Sequence, residues 1–282
     1  MHAMARIGAI WFSAVLTGCS VGPGVGGDGP PPSGSVPGST ATATPRAEPK
    51  SRYGNPSSYV VFGKRYYVLD SADGFVERGV ASWYGKKFHG RRTSSGETYN
   101  MHGMTAAHKS LPLPTYVEVT NLKNGRQLIL RVNDRGPFHG NRIIDLSYAA
   151  AGTLGIVANG TGLVEVRVLG FAESTKATDG QTSQAPENAQ AKVARAERDS
   201  IVRAEPRLFL QAGAFFGAVN AQRLRDRLLS MQAAAVSVEA TLVNGQRMHR
   251  VRVGPLVDVA RADRISDDIV NAGMEMPRIV IE

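Results

Sequence analysis

The alternation of apolar and polar side chains predicts a β-rich region between residues 79 and 169. Short segments there alternate with a two-residue period, as half-buried strands do. The predicted strands cover 79–84, 105–107, 115–121, 127–132, 142–146 and 162–169, and one helix runs from Ser147, a good N-cap residue, to Gly155. Many short strands with glycine-rich connections predict a small barrel or sandwich.

A different pattern follows from residue 207 onward. Strands are predicted at 207–215, 235–242, 246–253 and 278–281, and helices at 217–231 and 258–272. Leu224, Leu228 and Met231 recur at helical spacing, and Asn244 with Gly245 favours a hairpin turn. The order βαββαβ predicts one antiparallel sheet with both helices on one face, which leaves the other face for a ligand.

Polar segments without large apolar side chains separate these regions. We predict a signal peptide at 1–18, a flexible tether at 19–52, a lead-in segment with a hairpin at 53–78, a barrel at 79–171, a linker at 172–205 and a C-terminal domain at 206–282. The overall class is therefore mainly β for the first domain and α+β for the second.

The N-terminus has the pattern of a secreted lipoprotein. Arg6 precedes an apolar run at 7–16, which is too short to span a bilayer because a spanning helix needs about 20 residues. Leu16, Thr17, Gly18 and Cys19 resemble a bacterial lipobox, so we expect the lone cysteine to carry lipid, including palmitate. Because serine rather than aspartate follows Cys19, we expect an outer-membrane anchor facing the periplasm.

Charge and residue spacing limit the possible partners. A formal charge of +9 favours a polyanionic or carboxylate-rich partner, although a basic solvated surface gives the same number. His89, His102 and His139 show no metal-ligand spacing and have no cysteine beside them, so we predict neither a metal nor a cofactor.

Asp134 is the first catalytic candidate. It follows a predicted hairpin and precedes Arg135 and a Gly-Pro break, where a rigid strand gives way to a loop. The alternative is a structural carboxylate that accepts hydrogen bonds from turn amides or pairs with Arg135.

Five segments resemble the rare lipoprotein A family of septal-ring lytic transglycosylases. They are GVASWYG at 79–85, TSSGE at 93–97, TAAHKSLP at 105–112, NDRGP at 133–137 and IDLS at 144–147. The resemblance implies a six-stranded double-psi β-barrel in which Asp134, Glu97 and His108 line a glycan cleft. It also implies lyase chemistry on the MurNAc-GlcNAc bond of peptidoglycan, which leaves 1,6-anhydroMurNAc ends.

Lytic cleavage uses no water, so one carboxyl group can protonate the glycosidic oxygen and deprotonate the attacking C6 hydroxyl. We expect Asp134 to take this acid/base role, with Glu97 and His108 positioning substrate or tuning it. Trp83, Tyr84 and Arg135 are predicted to contact substrate. Asp145 is predicted to cap the helix that follows it.

The C-terminal region resembles a SPOR domain through LQAGAF at 210–215 and HRVRVGPL at 249–256. Such domains bind denuded glycan strands at division septa. The predicted binding face carries Gln211, Gly213, Arg250 and Arg252, because alternate strand residues share a face. The same topology occurs in RNA-binding domains, but the aromatic RNP1 motif is absent, so we do not predict nucleic acid as a partner.

Together these patterns predict a periplasmic enzyme, lipid-anchored through Cys19 and enriched at the septum. Its predicted partners are peptidoglycan strands, and division proteins are further candidates. Two alternatives stay open. One is an expansin-like barrel that binds glycan without cleaving it, and the other is a septal scaffold that engages a protein partner.

Overall fold

The computed structural model describes residues 42–170, 206–231 and 234–282. The predictions for the signal peptide, for Cys19, for most of the tether and for the linker fall outside these residues. No helix within the described ranges is both long and apolar enough to cross a bilayer.

The first domain is a closed barrel with strand order β3-β7-β4-β6-β5-β8. The barrel strands are β3 Val76–Tyr84, β4 Thr105–His108, β5 Thr115–Asn121, β6 Gln127–Asp134, β7 Arg142–Ser147 and β8 Thr161–Val168, with helix α1 at Tyr148–Leu154. Pairs β3/β7 and β4/β6 are parallel, and the other neighbours are antiparallel. The predicted six-stranded double-psi β-barrel is confirmed.

Alternating apolar side chains fill the barrel. Val117 and Val119 of β5 meet Leu130 and Val132 of β6 in one fully buried cluster, together with Leu146 of β7. Each such side chain contributes roughly 1.5 to 3 kcal/mol on burial. The core therefore holds the outward-facing side chains of these strands at fixed spacing.

Strand β6 contains an irregularity that decides where Asp134 lies. Ala106 pairs with Val132, whereas the next residue, Ala107, pairs with Asp134, so Asn133 is an extra residue on β6. An extra residue reverses the inward-outward alternation beyond it. Val132 points into the barrel, and Asp134 two residues later faces outward instead of inward.

The lead-in segment packs along one edge of the barrel. Its hairpin consists of β1 Ser58–Val61 and β2 Lys64–Tyr67, close to the predicted positions. Asn55 exchanges hydrogen bonds with the backbone of Leu113, and the backbone N–H of Leu69 donates to the Ser110 carbonyl at 2.8 Å. These bonds hold the segment against the loop that follows β4.

The second domain is a four-stranded sheet of order β10-β11-β9-β12. Its elements are β9 Leu208–Phe215, α2 Ala218–Ser230, β10 Val236–Val243, β11 Gln246–Leu256, α3 Val259–Asn271 and β12 Arg278–Ile281. All neighbouring strands are antiparallel, and Leu228 and Ile269 of the two helices share a core with Leu210 and Val251. This is the predicted α+β arrangement.

One predicted position on this sheet is wrong. Arg252 pairs with Gln211 while Val251 pairs with Gly213, so a bulge at Ala212 separates the two β9 residues. A Cβ on Gly213 would meet Leu224 of α2 at 2.8 Å. Gly213 therefore faces the helices, because the bulge breaks the simple alternation used to predict its face.

Candidate active site

Two carboxylates lie on the outer face of the barrel on either side of one small residue. Ala107 of β4 pairs with Asp134 on one side and with Asp145 on the other. Asp145 in turn pairs with Ser82 of β3. Since adjacent strands lie about 4.8 Å apart, the Cα atoms of the two aspartates are roughly 10 Å apart. Ala107 between them is 4% exposed, because it packs in a cluster with Tyr84 and Tyr148.

Asp134 is held through one of its two oxygens. Its Oδ1 accepts hydrogen bonds from the Ser94 N–H at 2.7 Å, the Ser94 hydroxyl at 2.7 Å and the Arg135 N–H at 2.8 Å. Among the described residues, none donates to Oδ2. The carboxylate is thus fixed in orientation with one oxygen available to a substrate.

Asp145 does not cap helix α1, and that prediction is wrong. The N-cap is Ser147, as its residue type predicted, and its side chain accepts from the Ala150 N–H. Asp145 instead accepts a hydrogen bond from the Ser82 hydroxyl. Its neighbours Ile144 and Leu146 are fully buried, so strand alternation turns Asp145 outward.

Glu97 is fastened to the strand that ends at Asp134. Arg131 Nη1 donates to both of its carboxylate oxygens at 2.8 Å, and Asn133 Nδ2 donates to Oε2 at 2.7 Å. The structure places Glu97 against Arg131 and Asn133 of the strand that ends at Asp134, so its carboxylate is already paired. This geometry suits a positioning group.

A residue of the predicted tether, Glu48, completes this arrangement. Glu48 Oε2 lies 2.7 Å from Arg131 Nη2, so Arg131 is clamped between two carboxylates. The hydrogen bond from Arg131 lowers the pKa of Glu48 to about 2. Burial would lower the pKa of Arg131, but its hydrogen bonds to Glu48 and Glu97 outweigh burial and raise it. Sequence reasoning missed Glu48, because no local pattern joins it to a strand so far along the chain.

His108 lies on the inner side of β4, away from the aspartates. Its ring is 2% exposed, and Nδ1 accepts from the N–H groups of Ser110 and Leu111 at 3.2 and 3.1 Å. Burial lowers the pKa of His108, while Glu77, whose Oε2 is 3.5 Å from Nε2, opposes this only in part. A neutral imidazole that orders the 108–111 turn fits this environment.

Arg135 links that turn to the catalytic loop. Its guanidinium donates to the carbonyls of Gly54, His108 and Leu111 and to the Asn55 side chain. These bonds use all five N–H groups of the guanidinium. In the structure, the Arg135 side chain anchors its loop to the 108–111 turn and to the lead-in segment. A direct contact of Arg135 with substrate stays a prediction.

The two predicted aromatic residues differ in accessibility. Tyr84 is 8% exposed and stacks on Tyr99 with ring centroids 4.1 Å apart, so it belongs to the core and not to a substrate surface. Trp83 is half-buried, packs on Tyr148 and lines a cavity of about 380 Å³ together with Ser82. Its contact with substrate stays a prediction.

The two arginines predicted for the binding face of the second domain differ in their pairing with other side chains. Arg252 has a side chain that is 8% exposed and lies 2.8 Å from Glu239 and 2.5 Å from Glu282. Arg250 is half-buried and has no hydrogen bond or ion pair among the described residues. Gln211 pairs with Arg252 and with Arg278 of β12. Of the two predicted arginines, Arg250 is the one placed to meet a ligand.

No group of three or more histidine, cysteine, aspartate or glutamate side chains that could hold a metal ion occurs within residues 42–170, 206–231 and 234–282. The polar side chains around Asp134 and Asp145 are a carboxylate, hydroxyl and amide set, which suits proton transfer to and from an oxygen atom. The fold and site together define a double-psi barrel protein with paired outer carboxylates and a separate α+β module.

Comparison with known proteins agrees with this class. A family model described as "Lytic transglycolase" matches residues 76–168, and the SPOR domain model matches residues 204–275. A Pseudomonas aeruginosa protein named endolytic peptidoglycan transglycosylase RlpA is 38% identical over 274 residues, covering 84% of this chain and 80% of that protein. The chain belongs to the RlpA family.

Two further matches extend the comparison. The RlpA protein of Vibrio cholerae is 54% identical over 134 residues, covering 48% of this chain and 51% of that protein. A crystal structure of the RlpA SPOR domain from Pseudomonas aeruginosa covers 26% of this chain and 96% of that chain, with 36% identity and a TM-score of 0.25.

Proposed function

We propose that this chain is a lytic transglycosylase that cleaves the MurNAc-GlcNAc bond of peptidoglycan and leaves 1,6-anhydroMurNAc ends. The observation that carries this proposal is the pair of half-buried carboxylates, Asp134 and Asp145, on either side of Ala107 on the outer face of the barrel. Support comes from relatives that are named endolytic peptidoglycan transglycosylases.

Asp134 takes the acid/base role in this proposal. Its Oδ2 protonates the glycosidic oxygen as the bond to C1 breaks, and the resulting carboxylate then accepts the proton of the muramic C6 hydroxyl. That hydroxyl attacks C1, so no water enters the products. The three donors on Oδ1 keep the carboxylate oriented through both proton transfers.

Asp145 takes a second, electrostatic role. Glycosidic bond cleavage passes through a transition state with positive charge on the sugar ring. A carboxylate on the far side of Ala107, oriented by the Ser82 hydroxyl, would stabilise that charge.

The same geometry favours a second candidate, inverting hydrolysis. Inverting glycosidases separate their carboxyl groups by about 6.5 to 9.5 Å so that water can enter between them. Two strand spacings between Asp134 and Asp145 are compatible with such a gap. Hydrolysis would leave a reducing MurNAc end in place of the anhydro form.

The second domain would select where the barrel acts. The SPOR match supports peptidoglycan as its ligand, and the open sheet face with Arg250 supplies a surface of suitable charge. We propose that it prefers denuded strands and concentrates the enzyme at the septum, where division proteins could add further contacts.

We further propose a lipid anchor on Cys19 that holds the chain at the outer membrane, facing the periplasm. The sequence pattern around Cys19 supports this location. Replacing Cys19→Ser should abolish palmitate labelling and release the protein from the membrane fraction, and unchanged labelling would refute the anchor.

The activity is tested by incubating the purified protein with sacculi, intact and amidase-treated, and identifying the soluble glycans by mass spectrometry. Anhydro ends support lytic cleavage, and reducing ends support the hydrolase. If the protein binds sacculi but releases no glycan, the expansin-like or scaffold alternatives replace both.

A further inference from the structure

A cavity of about 330 Å³ opens directly beside Asp134. Its lining includes Pro56, Tyr59, Val61, Ser94, Arg135 and Phe138. Ser94 is also the residue that donates two hydrogen bonds to Asp134 Oδ1. The cavity is therefore continuous with the proposed site of cleavage.

One wall of the cavity is aromatic and firmly held. Tyr59 stacks on Tyr66 with centroids 5.4 Å apart, and Phe138 lies 5.4 Å from Tyr66 and 6.1 Å from Tyr59. The Tyr59 hydroxyl donates to the Lys109 carbonyl at 2.7 Å. This wall presents ring surface in a fixed orientation, as binding sites for flat apolar ligand faces do.

The polar groups of the cavity are already satisfied. Arg135 donates all of its guanidinium N–H groups to protein acceptors, and the Ser94 hydroxyl bonds Asp134 and the Arg135 N–H. A charged ligand, such as a stem-peptide carboxylate, would find no free cationic donor on this lining. A neutral ligand with an apolar face fits better.

The lead-in segment supplies four of the seven residues that line this cavity, and it lies largely outside the residues that the family model matches, which begin at residue 76. Tyr59 and Val61 share the inward face of β1, and the chain after β2 is tied to the barrel by the hydrogen bond from Leu69 to Ser110. The cavity therefore depends on the lead-in segment as well as on the barrel.

We propose that this cavity is a sugar subsite that binds an N-acetylhexosamine ring of the glycan strand, with the apolar ring face or the N-acetyl methyl against Tyr59 and Phe138. A glycan strand that is cut at Asp134 extends to both sides of the cleaved bond, and this cavity lies on the Ser94 side of Asp134. The identity of the bound sugar rests on the proposed function. A sugar can nevertheless bind this cavity when the strand is not cleaved.

The test uses the full chain with Cys19→Ser, which removes its lone cysteine, and then adds Val61→Cys in the cavity. Chitohexaose, a neutral chain of N-acetylglucosamine, is the probe, and the rate of thiol labelling is the measurement. The matched control is Phe62→Cys, next to Val61 but 92% exposed at the hairpin turn.

Chitohexaose should slow labelling of the Val61→Cys variant severalfold and leave Phe62→Cys unchanged. Adding Phe138→Ala should raise the chitohexaose concentration needed for protection by about two- to tenfold, which is typical of losing one aromatic contact. Thermal unfolding of each variant shows whether the hairpin is intact.

Absence of protection at Val61→Cys, or equal protection at both positions, would overturn the subsite. Protection at Val61→Cys without any cleavage of sacculi would refute the proposed reaction and leave the subsite standing. Cleavage of sacculi without protection at Val61→Cys would refute the subsite and leave the proposed reaction standing.

Discussion

At the scale of single residues, the proposed chemistry depends on two outward-facing aspartates, Asp134 and Asp145, with Ala107 between them. Asp134 is turned outward only because Asn133 is an extra residue in β6. Asp145 is turned outward by ordinary alternation between Ile144 and Leu146. The pair arises from two strands that are not neighbours, with β4 between them.

Replacing either aspartate tests this arrangement. Asp134→Asn keeps the shape of the side chain and removes the proton donor, so release of glycan from sacculi should fall by about 10²- to 10⁴-fold. Asp145→Asn removes the second charge and should also lower the rate, with little change in thermal stability.

The matched control is Asp70→Asn, an exposed aspartate of the lead-in segment, which should cleave as the wild type does. If Asp145→Asn keeps full activity, the two-carboxylate arrangement is not used and Asp134 acts without it.

The sequence predicted Asp134 from its place at a strand end, and it predicted nothing for Ser94 or Ser82, which orient the two aspartates. Serine in a loop or strand is common, and only the folded barrel brings the loop residue Ser94 to Asp134 and the strand residue Ser82 to Asp145. Asp145 could have been found from the buried residues on either side of it, but a helix two residues away offered a competing explanation.

At the scale of elements, strand positions were predictable and strand irregularities were not. Five of the six barrel strands begin within a residue of their predicted start, because apolar alternation follows burial. The bulges at Asn133 and Ala212 depend on how a strand fits its neighbour, and no local pattern marks them. Each bulge reverses the face of the residues beyond it.

The clamp of Glu48, Arg131 and Glu97 makes a pH-dependent contribution to stability. The pKa of Glu48 is about 2 in the folded chain against an ordinary value of 4.5. A lowered pKa stabilises the fold fully above the ordinary value, and that stabilisation is lost as the pH falls from 4.5 toward 2.

Glu48→Gln should therefore lower the free energy of unfolding at neutral pH by about 1.5 to 3 kcal/mol, as for other hydrogen bonds to charged groups. The difference from the wild type should shrink in acid. Chemical denaturation across this pH range measures it, with exposed Glu275→Gln as the control. A difference that stays constant into acid would contradict the clamp.

Strand β11 carries two arginines with different expected roles. Arg252 is enclosed by Glu239 and Glu282, so Arg252→Ala removes both ion pairs and should lower thermal stability. Glu282 then keeps only Arg207, whose Nη2 is 3.9 Å from its Oε2. Arg250 has no partner among the described residues, so Arg250→Ala should leave stability unchanged and weaken binding of amidase-treated sacculi. If Arg250→Ala lowers stability without weakening binding, and Arg252→Ala weakens binding without lowering stability, the binding face is not the one proposed.

At the scale of the whole molecule, the two domains are in contact through a few side chains. Arg142 Nη2 lies 3.3 Å from Asp263 Oδ2 of α3, and Val80 of the barrel contacts the apolar cluster of the second domain. The aspartate pair and the two serines that orient it, Ser94 and Ser82, come from the barrel. The proposed chemistry therefore draws on one domain.

Removing residues 206–282 should leave cleavage of sacculi measurable, while a fluorescent fusion loses its septal band. The reason is that Asp134, Asp145 and their orienting serines stay in place when the second domain is deleted. The isolated second domain, exported to the periplasm, should find the septum without Asp134. Septal localisation that persists after the deletion would favour the scaffold alternative.

The most direct test of lytic cleavage by Asp134 is to digest sacculi in water enriched in heavy oxygen. If Asp134 transfers the proton from the muramic C6 hydroxyl, the new glycan ends carry no heavy oxygen, and Asp134→Asn forms few of them. Heavy oxygen at C1 of the new MurNAc ends would show that water is the nucleophile, and it would contradict lytic cleavage by this barrel.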